Sequence, residues 1–318
     1  MTVRVTQGSV GPFEAIIMEN DRVRAVTLPT LGGRVWELED RHLRRQWIWH
    51  RPDVPLQASP VGTAYDDVWA GGWEELFPND APGHFDGRDL PDHGEWWAMS
   101  WKALEARSGS TGTVKLSATA MIVRAHCTKE FHLADDATTL SVTYRIRSAE
   151  DRPFHFLFKQ HLPVAITPTC RLLLPGGRVE AVDPAFSTLI RGGNPFAWPV
   201  AHVSGESFDL REIPTATSRL QEFVYVRDLP AGWCGVEDLA QGAALRMNFD
   251  AAAFPYVWLF LTYGGWRNLY TAVLEPCSNM PKSLTDAVRL GQSARLLPGQ
   301  EFTTTVSVTL SGTTAPDP

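Results

Sequence analysis

Residues 71–101 read GGWEELFPNDAPGHFDGRDLPDHGEWWAMSW. The stretch holds the tandem acids Glu74 and Glu75, two of the nine histidines (His84, His93) and four of the twelve tryptophans (Trp73, Trp96, Trp97, Trp101). Pro78, Pro82, Pro91, Gly83, Gly87 and Gly94 are interspersed among them. Proline removes a backbone donor and glycine weakens a helix, so this is not one long helix. It is too aromatic for a solvated linker. The reading is a long ordered loop laid over a scaffold, with titratable groups and flat rings facing a cleft. The plainer alternative is a proline-rich cover pinned to the core by tryptophans.

Working outward, the scaffold reads as β on both sides. Residues 15–28 give two apolar runs, AIIME and VRAVTL, joined at Asn20-Asp21, a hairpin signal. Leu31-Gly32-Gly33 precedes a strand over 35–39, where the glycines suit a tight turn or a close approach. Residues 41–51 (RHLRRQWIWHR) place Trp47 and Trp49 on one face if extended. Downstream, alternation returns at 113–124, 126–133, 140–146 and 154–161, then in shorter runs to 302–310. Helical periodicity is weak, with a turn or two expected within 66–76. Many short strands with glycine and proline punctuation predict an all-β sandwich or barrel. No linker divides the chain, so residues 1–312 are expected to form a single domain, with a frayed tail at 313–318.

Composition narrows the function. The net charge of −7 argues against a nucleic-acid partner, which needs a concentrated basic face. No apolar run reaches membrane-spanning length, and the start of the chain lacks the apolar region of a signal peptide. Cys127, Cys170, Cys234 and Cys277 are far apart, with no CxxC pair. Buried free thiols in a cytoplasmic protein are expected, rather than disulfides or a zinc site.

Three ionisable residues stand at punctuated positions. His93 follows Pro91-Asp92 and precedes Gly94; His161 ends an aromatic run before Leu162-Pro163; Glu275 ends YTAVLE before Pro276. Proline after a strand-final polar residue fixes where that side chain points. A carboxylate ending an apolar strand is costly to bury without partners, and is commonly paired or functional. Two histidines and a glutamate could also hold a metal, but no HxH or HExxH spacing supports one, and neither metal nor cofactor is expected. No GxSxG elbow or phosphate loop occurs.

The ordered motifs resemble the galactose mutarotase (aldose 1-epimerase) superfamily, in its hexose-phosphate-epimerase-like branch. They are GGWEELFP at 71–78, His93-Gly94 with Trp101 beyond, Leu31-Gly32-Gly33, KQH at 159–161, FPYVWLFLTYGG at 254–265, Leu274-Glu275-Pro276, and Pro298-Gly299 before the last strand. The resemblance covers most of the chain. It implies a β-supersandwich that binds a monosaccharide or modified sugar in an open groove and interconverts its α and β anomers.

Carried over by position, the resemblance makes Glu275 the general base at the anomeric hydroxyl and His161 the acid at the ring oxygen. His93 binds or polarises the sugar. Opening a hemiacetal takes a proton from O1 and gives one to the ring oxygen, so an acid and a base must flank the sugar. One departure stands out: the arginine that often follows HG in the branch is absent from His93-Gly94-Glu95-Trp96-Trp97. Arg267 and Arg88 are the candidates to replace it. Glu74 and Asp80 are candidate hydroxyl partners, and Trp73, Trp96 and Trp258 candidate stacking platforms, with core packing the alternative. Two rival functions are a catalytically silent carbohydrate-binding protein and a carbon-centre sugar epimerase or isomerase. Neither the sugar nor the oligomeric state is legible.

Overall fold

The structure, a computed structural model, describes residues 2–312, so the expected tail at 313–318 lies outside the described residues. Period-two runs become antiparallel strands gathered into three large sheets. A five-stranded meander comprises Arg4–Val10, Phe13–Glu19, Val23–Leu28, Arg34–Asp40 and Arg45–Gln46. Its second turn follows from Asn20, whose side-chain oxygen accepts the backbone N–H groups of Arg22 and Val23 at 2.8 and 2.7 Å. That is the local bond that makes asparagine a turn residue.

An eight-stranded sheet runs, in spatial order, Cys170–Leu173, Trp233–Asp238, Ala243–Phe249, Glu301–Gly312, Thr139–Ser148, Ala125–Ala134, Thr111–Ala120 and Lys102–Arg107. A seven-stranded sheet runs Phe196–Ala197, Arg178–Ala181, Leu220–Arg227, Tyr256–Tyr263, Tyr270–Cys277, Lys159–Val164 and Glu74–Leu76. The two share one core, in which Phe131, Val142 and Val306 join Leu162, Leu259 and Leu274. Apolar residues at every second position turn one face inward, and each fully buried large side chain contributes about 1.5–3 kcal/mol. Leu274→Ala in this layer would cost about 2–5 kcal/mol.

The other face of the seven-stranded sheet bears a second cluster, in which Leu76, Tyr225, Trp258 and Val273 pack with Tyr65, Trp69 and Trp97. This face is the floor of the site. The all-β expectation holds: among the described residues the α-helices are the short Tyr65–Val68 and Leu284–Arg289. None is long and apolar enough to cross a membrane. All four cysteines are free and buried.

Three local expectations change. Residues 71–101 are not all loop, since Glu74–Leu76 is the edge strand of the seven-stranded sheet, and Gly83–Phe85 pairs with Arg88–Leu90 in a hairpin. The aromatic run 154–161 divides into Phe154–Phe156 and Lys159–Val164, which lie in different sheets. Neither His161 nor Glu275 ends its strand, because Lys159–Val164 runs on through Pro163 and Tyr270–Cys277 through Pro276. The Pro163 carbonyl still accepts the Trp49 N–H at 3.0 Å, so pairing continues on that side of the proline.

Candidate functional site

Strand alternation puts Lys159 and His161 on the same face, and cross-strand pairing sets Glu275 against Trp258. That face opens into a cavity of about 250 Å³, and Glu275, His161, His93, Lys159, Asp80 and Tyr65 all line it. Three residues widely separated in sequence therefore meet in one cleft. His161 Nε2 lies 3.9 Å from Glu275 Oε1, and the rings of His93 and His161 are 6.5 Å apart, edge to face.

His93 arrives through the backbone of the preceding loop. Its own φ is +60°, and Gly94 follows at +67°. A β-carbon on Gly94 would sit 2.3 Å from the Phe77 carbonyl oxygen, so only glycine permits this approach. The N–H groups of His93 and Glu95 donate to Asp80 and Phe77 at 2.7 and 2.8 Å, clipping the loop to itself. The His93 ring stacks on Tyr65 at 4.0 Å, and its Nδ1 lies 2.7 Å from Asp92 Oδ1.

Glu275 and Asp80 hold Lys159 between them: Lys159 Nζ forms an ion pair with Glu275 Oε2 at 2.5 Å and a shorter one with Asp80. The same ammonium sits 4.1 Å above the Trp258 ring. Burial is the largest influence on Lys159 and disfavours its charge, but the two carboxylates outweigh it and its pKa rises. Burial pushes Glu275 up to about 7, against the opposing pull of Lys159. His161 is driven well below its ordinary value, by burial first and then by Lys159. Burial also disfavours the His93 cation, yet the Asp92 hydrogen bond and the Asp80 and Asp92 charges overcome it, so that pKa rises.

The protonation pattern of His161 follows from its neighbour. Tyr65 donates its hydroxyl proton to the buried Glu74, which is held in turn by Arg34 at 2.8 Å. The Tyr65 oxygen can then only accept from His161 Nδ1, 3.3 Å away. In the neutral ring Nδ1 carries the proton, and bare Nε2 faces Glu275.

The remaining sequence candidates divide by location. Asp80 lines the cleft, while Glu74 lies beneath it, behind Tyr65. Trp258 is fully buried in the floor; its indole N–H donates to the Asn279 carbonyl at 2.9 Å and its face meets Lys159. Trp73 is in the main core, bonded to Gln160 at 2.8 Å, and Trp96 is in the same core. Arg267 is beside the cleft residue Trp266, but its guanidinium is engaged by Asp67 at 2.7 Å and the Asp66 carbonyl at 3.0 Å. Arg88 pairs with Glu150 at 3.0 Å, away from the cleft.

Sequence reasoning passed over Tyr65, Trp69, Asp92, Lys282 and the phenylalanine wall of Phe186, Phe223 and Phe260. Lys159 was within reach, since it stands two residues before His161 on a strand and so shares its face.

No protein-family model matches this chain, and no curated protein does. Solved structures do match. A Klebsiella pneumoniae protein described as a candidate aldose 1-epimerase superposes with a TM-score of 0.71 at 12% identity, over 94% of this chain and 79% of its own. A galactose mutarotase-like protein of Clostridium acetobutylicum gives 0.68 at 11%, over 98% and 99%. A galactose mutarotase related enzyme of Lactobacillus acidophilus gives 0.65 at 12%, over 94% and 98%. The chain has the galactose mutarotase-like fold. The particular arrangement within that fold is an open cleft on the seven-stranded sheet, lined by Glu275, His161 and His93 among others.

Proposed function

We propose that this protein is an aldose 1-epimerase-like enzyme that interconverts the α and β anomers of a sugar by general acid–base catalysis. The observation that carries the reading is the facing pair of Glu275 and His161, 3.9 Å apart in the cleft. One group has its pKa raised to about 7, and the other has its pKa depressed. Together they hold one exchangeable proton near neutrality.

Mutarotation needs that stoichiometry. With the proton on Glu275, His161 Nε2 takes the O1 proton while Glu275 protonates the ring oxygen, and the C1–O5 bond breaks to give the open aldehyde. Rotation about C1–C2 presents the other carbonyl face. Closure runs the transfers backwards, so the enzyme ends as it began. With the proton on His161 the same chemistry runs with Glu275 as base and His161 as acid, the assignment the superfamily resemblance implies. His93, whose pKa is raised by Asp92 and Asp80 against the effect of burial, supplies a hydrogen-bond donor to sugar oxygen, which stabilises charge developing there.

Exchange spectroscopy by NMR on equilibrated aldoses tests this: catalytic amounts of protein should accelerate α/β exchange. Bound sugar without accelerated exchange would favour a silent binding protein. Deuterium entering a carbon from heavy water would favour a carbon-centre epimerase.

A further inference from the structure

We propose that the sugar taken by this cleft is uncharged and carries an apolar substituent, which rests on an aromatic shelf formed by Phe186, Phe223, Phe260 and Trp266. The inference rests on the anomer-exchange reading of the same cleft and adds the class of substrate.

The shelf is part of the cleft wall, and all four rings remain partly exposed there. Phe223 and Phe260 are cross-strand partners, so their side chains stand side by side, 5.4 Å apart. Phe186 and Trp266 flank Phe260 at 5.1 and 5.2 Å. Each of these rings could have been sealed into a core; here they leave contiguous apolar surface inside a concave site, the usual mark of a ligand contact.

The shelf lies beside the proton-exchanging pair. Glu275 pairs with Trp258, and Phe260 is two residues further along the same strand. With strands about 4.8 Å apart and a rise of about 3.4 Å per residue, the Phe260 Cα is about 8 Å from that of Glu275, and Phe223 about 12 Å. A sugar whose O1 and ring oxygen lie at Glu275 and His161 fills that interval with its ring. Its far side then meets the aromatics.

Charge disfavours the common alternative, a phosphate. The cleft is lined by the acidic residues Asp66, Asp80, Asp92, Asp183 and Glu275 against the basic groups of Lys159, Lys282 and His93. Lys159 is held by Asp80 and Glu275 and His93 by Asp92, while the half-exposed Lys282 pairs with Asp183 at 3.1 Å. An anion would displace an existing pair or face a carboxylate, and such like-charge contact is a strong discriminator.

Calorimetric titration of the full chain tests the proposal with four probes on each of two parents, D-glucose and D-galactose: the parent, its 4-O-benzyl ether, its 4-phosphate, and a disaccharide carrying that sugar at the reducing end. For at least one parent the benzyl ether should bind about 10- to 100-fold more tightly, the value of one buried aromatic group. The phosphate should bind more weakly than the parent. Phe260→Ala, and separately Phe186→Ala on the facing loop, should bring the benzyl-to-parent ratio toward one. A tighter phosphate, a disaccharide preferred over the benzyl ether, a ratio unmoved in both variants, or no benzyl binding would each overturn the proposal. NMR on the same samples separates the two readings. Exchange accelerated without benzyl preference removes the shelf and keeps the epimerase. Benzyl-dependent binding without exchange does the reverse.

Discussion

Lys159 Nζ lies 2.5 Å from Glu275 Oε2, and both side chains are buried. The lysine lowers the glutamate's pKa while burial raises it, and the balance leaves Glu275 at about 7. Lys159→Met removes only the lowering influence, so the pH above which activity falls should move upward. The variant also leaves Asp80 and Glu275 without their shared cation. Stability at pH 8 should drop by about 3–5 kcal/mol, the usual cost of breaking a buried pair. Denaturant melts and a pH–rate profile check the two halves. An unmoved alkaline limb would show that Lys159 does not tune Glu275.

The wild-type profile has a defined sign. In the proposed mechanism a single proton on the Glu275–His161 pair is the active form. Rising pH strips it from Glu275, whose pKa of about 7 sets the alkaline limb. Falling pH adds a second proton to His161, whose depressed pKa puts the acid limb well below the ordinary histidine value. These limbs belong to the coupled pair. A kcat/KM still rising well above pH 8 would contradict this loading.

Glu275→Gln and His161→Asn should each lower kcat by about 10²–10⁴-fold while sugar binding persists. The double variant should fall short of the product of the two losses, because both groups serve one proton exchange. Near-wild-type turnover in Glu275→Gln would remove Glu275 from the proton exchange.

A second buried network lies outside the cleft. Glu75 points to the opposite side of its strand from Glu74, toward Lys129 of the eight-stranded sheet, and it also accepts from Tyr144 at 2.5 Å. Lys129 donates to the Gly32 carbonyl at 2.6 Å and sits 4.6 Å over the Trp101 ring. Lys129→Met should cost about 3–5 kcal/mol by stranding Glu75. Lys129→Met with Glu75→Gln should recover part of that loss. Thermal or denaturant unfolding reads both, and equal stabilities for single and double variants would dissolve the coupling.

The sequence by itself determined the all-β architecture, because period-two alternation in runs such as 140–146 buries one face of a strand whatever its partner. It also marked Glu275, His161 and His93. A carboxylate at the end of an apolar run and histidines beside Pro and Gly are local signals, and the ordered motifs pointed to the superfamily. The reason of punctuation was incomplete: Pro163 and Pro276 lie within their strands, so the prolines mark positions without ending the elements. Only the tertiary structure decided which carboxylates and cations meet. Alternation fixes that Glu74 and Glu75 face opposite ways, but not that one finds Arg34 and Tyr65 and the other Lys129. It could not show that Trp73 and Trp96 are core or that Arg267 is held by Asp67. Nor could it show that Phe186, Phe223 and Phe260 share a wall with Trp266. Those pairings join residues far apart in the chain, and the registry of packed sheets sets them. The desolvation that raises Glu275 and depresses His161 arises from that packing as well.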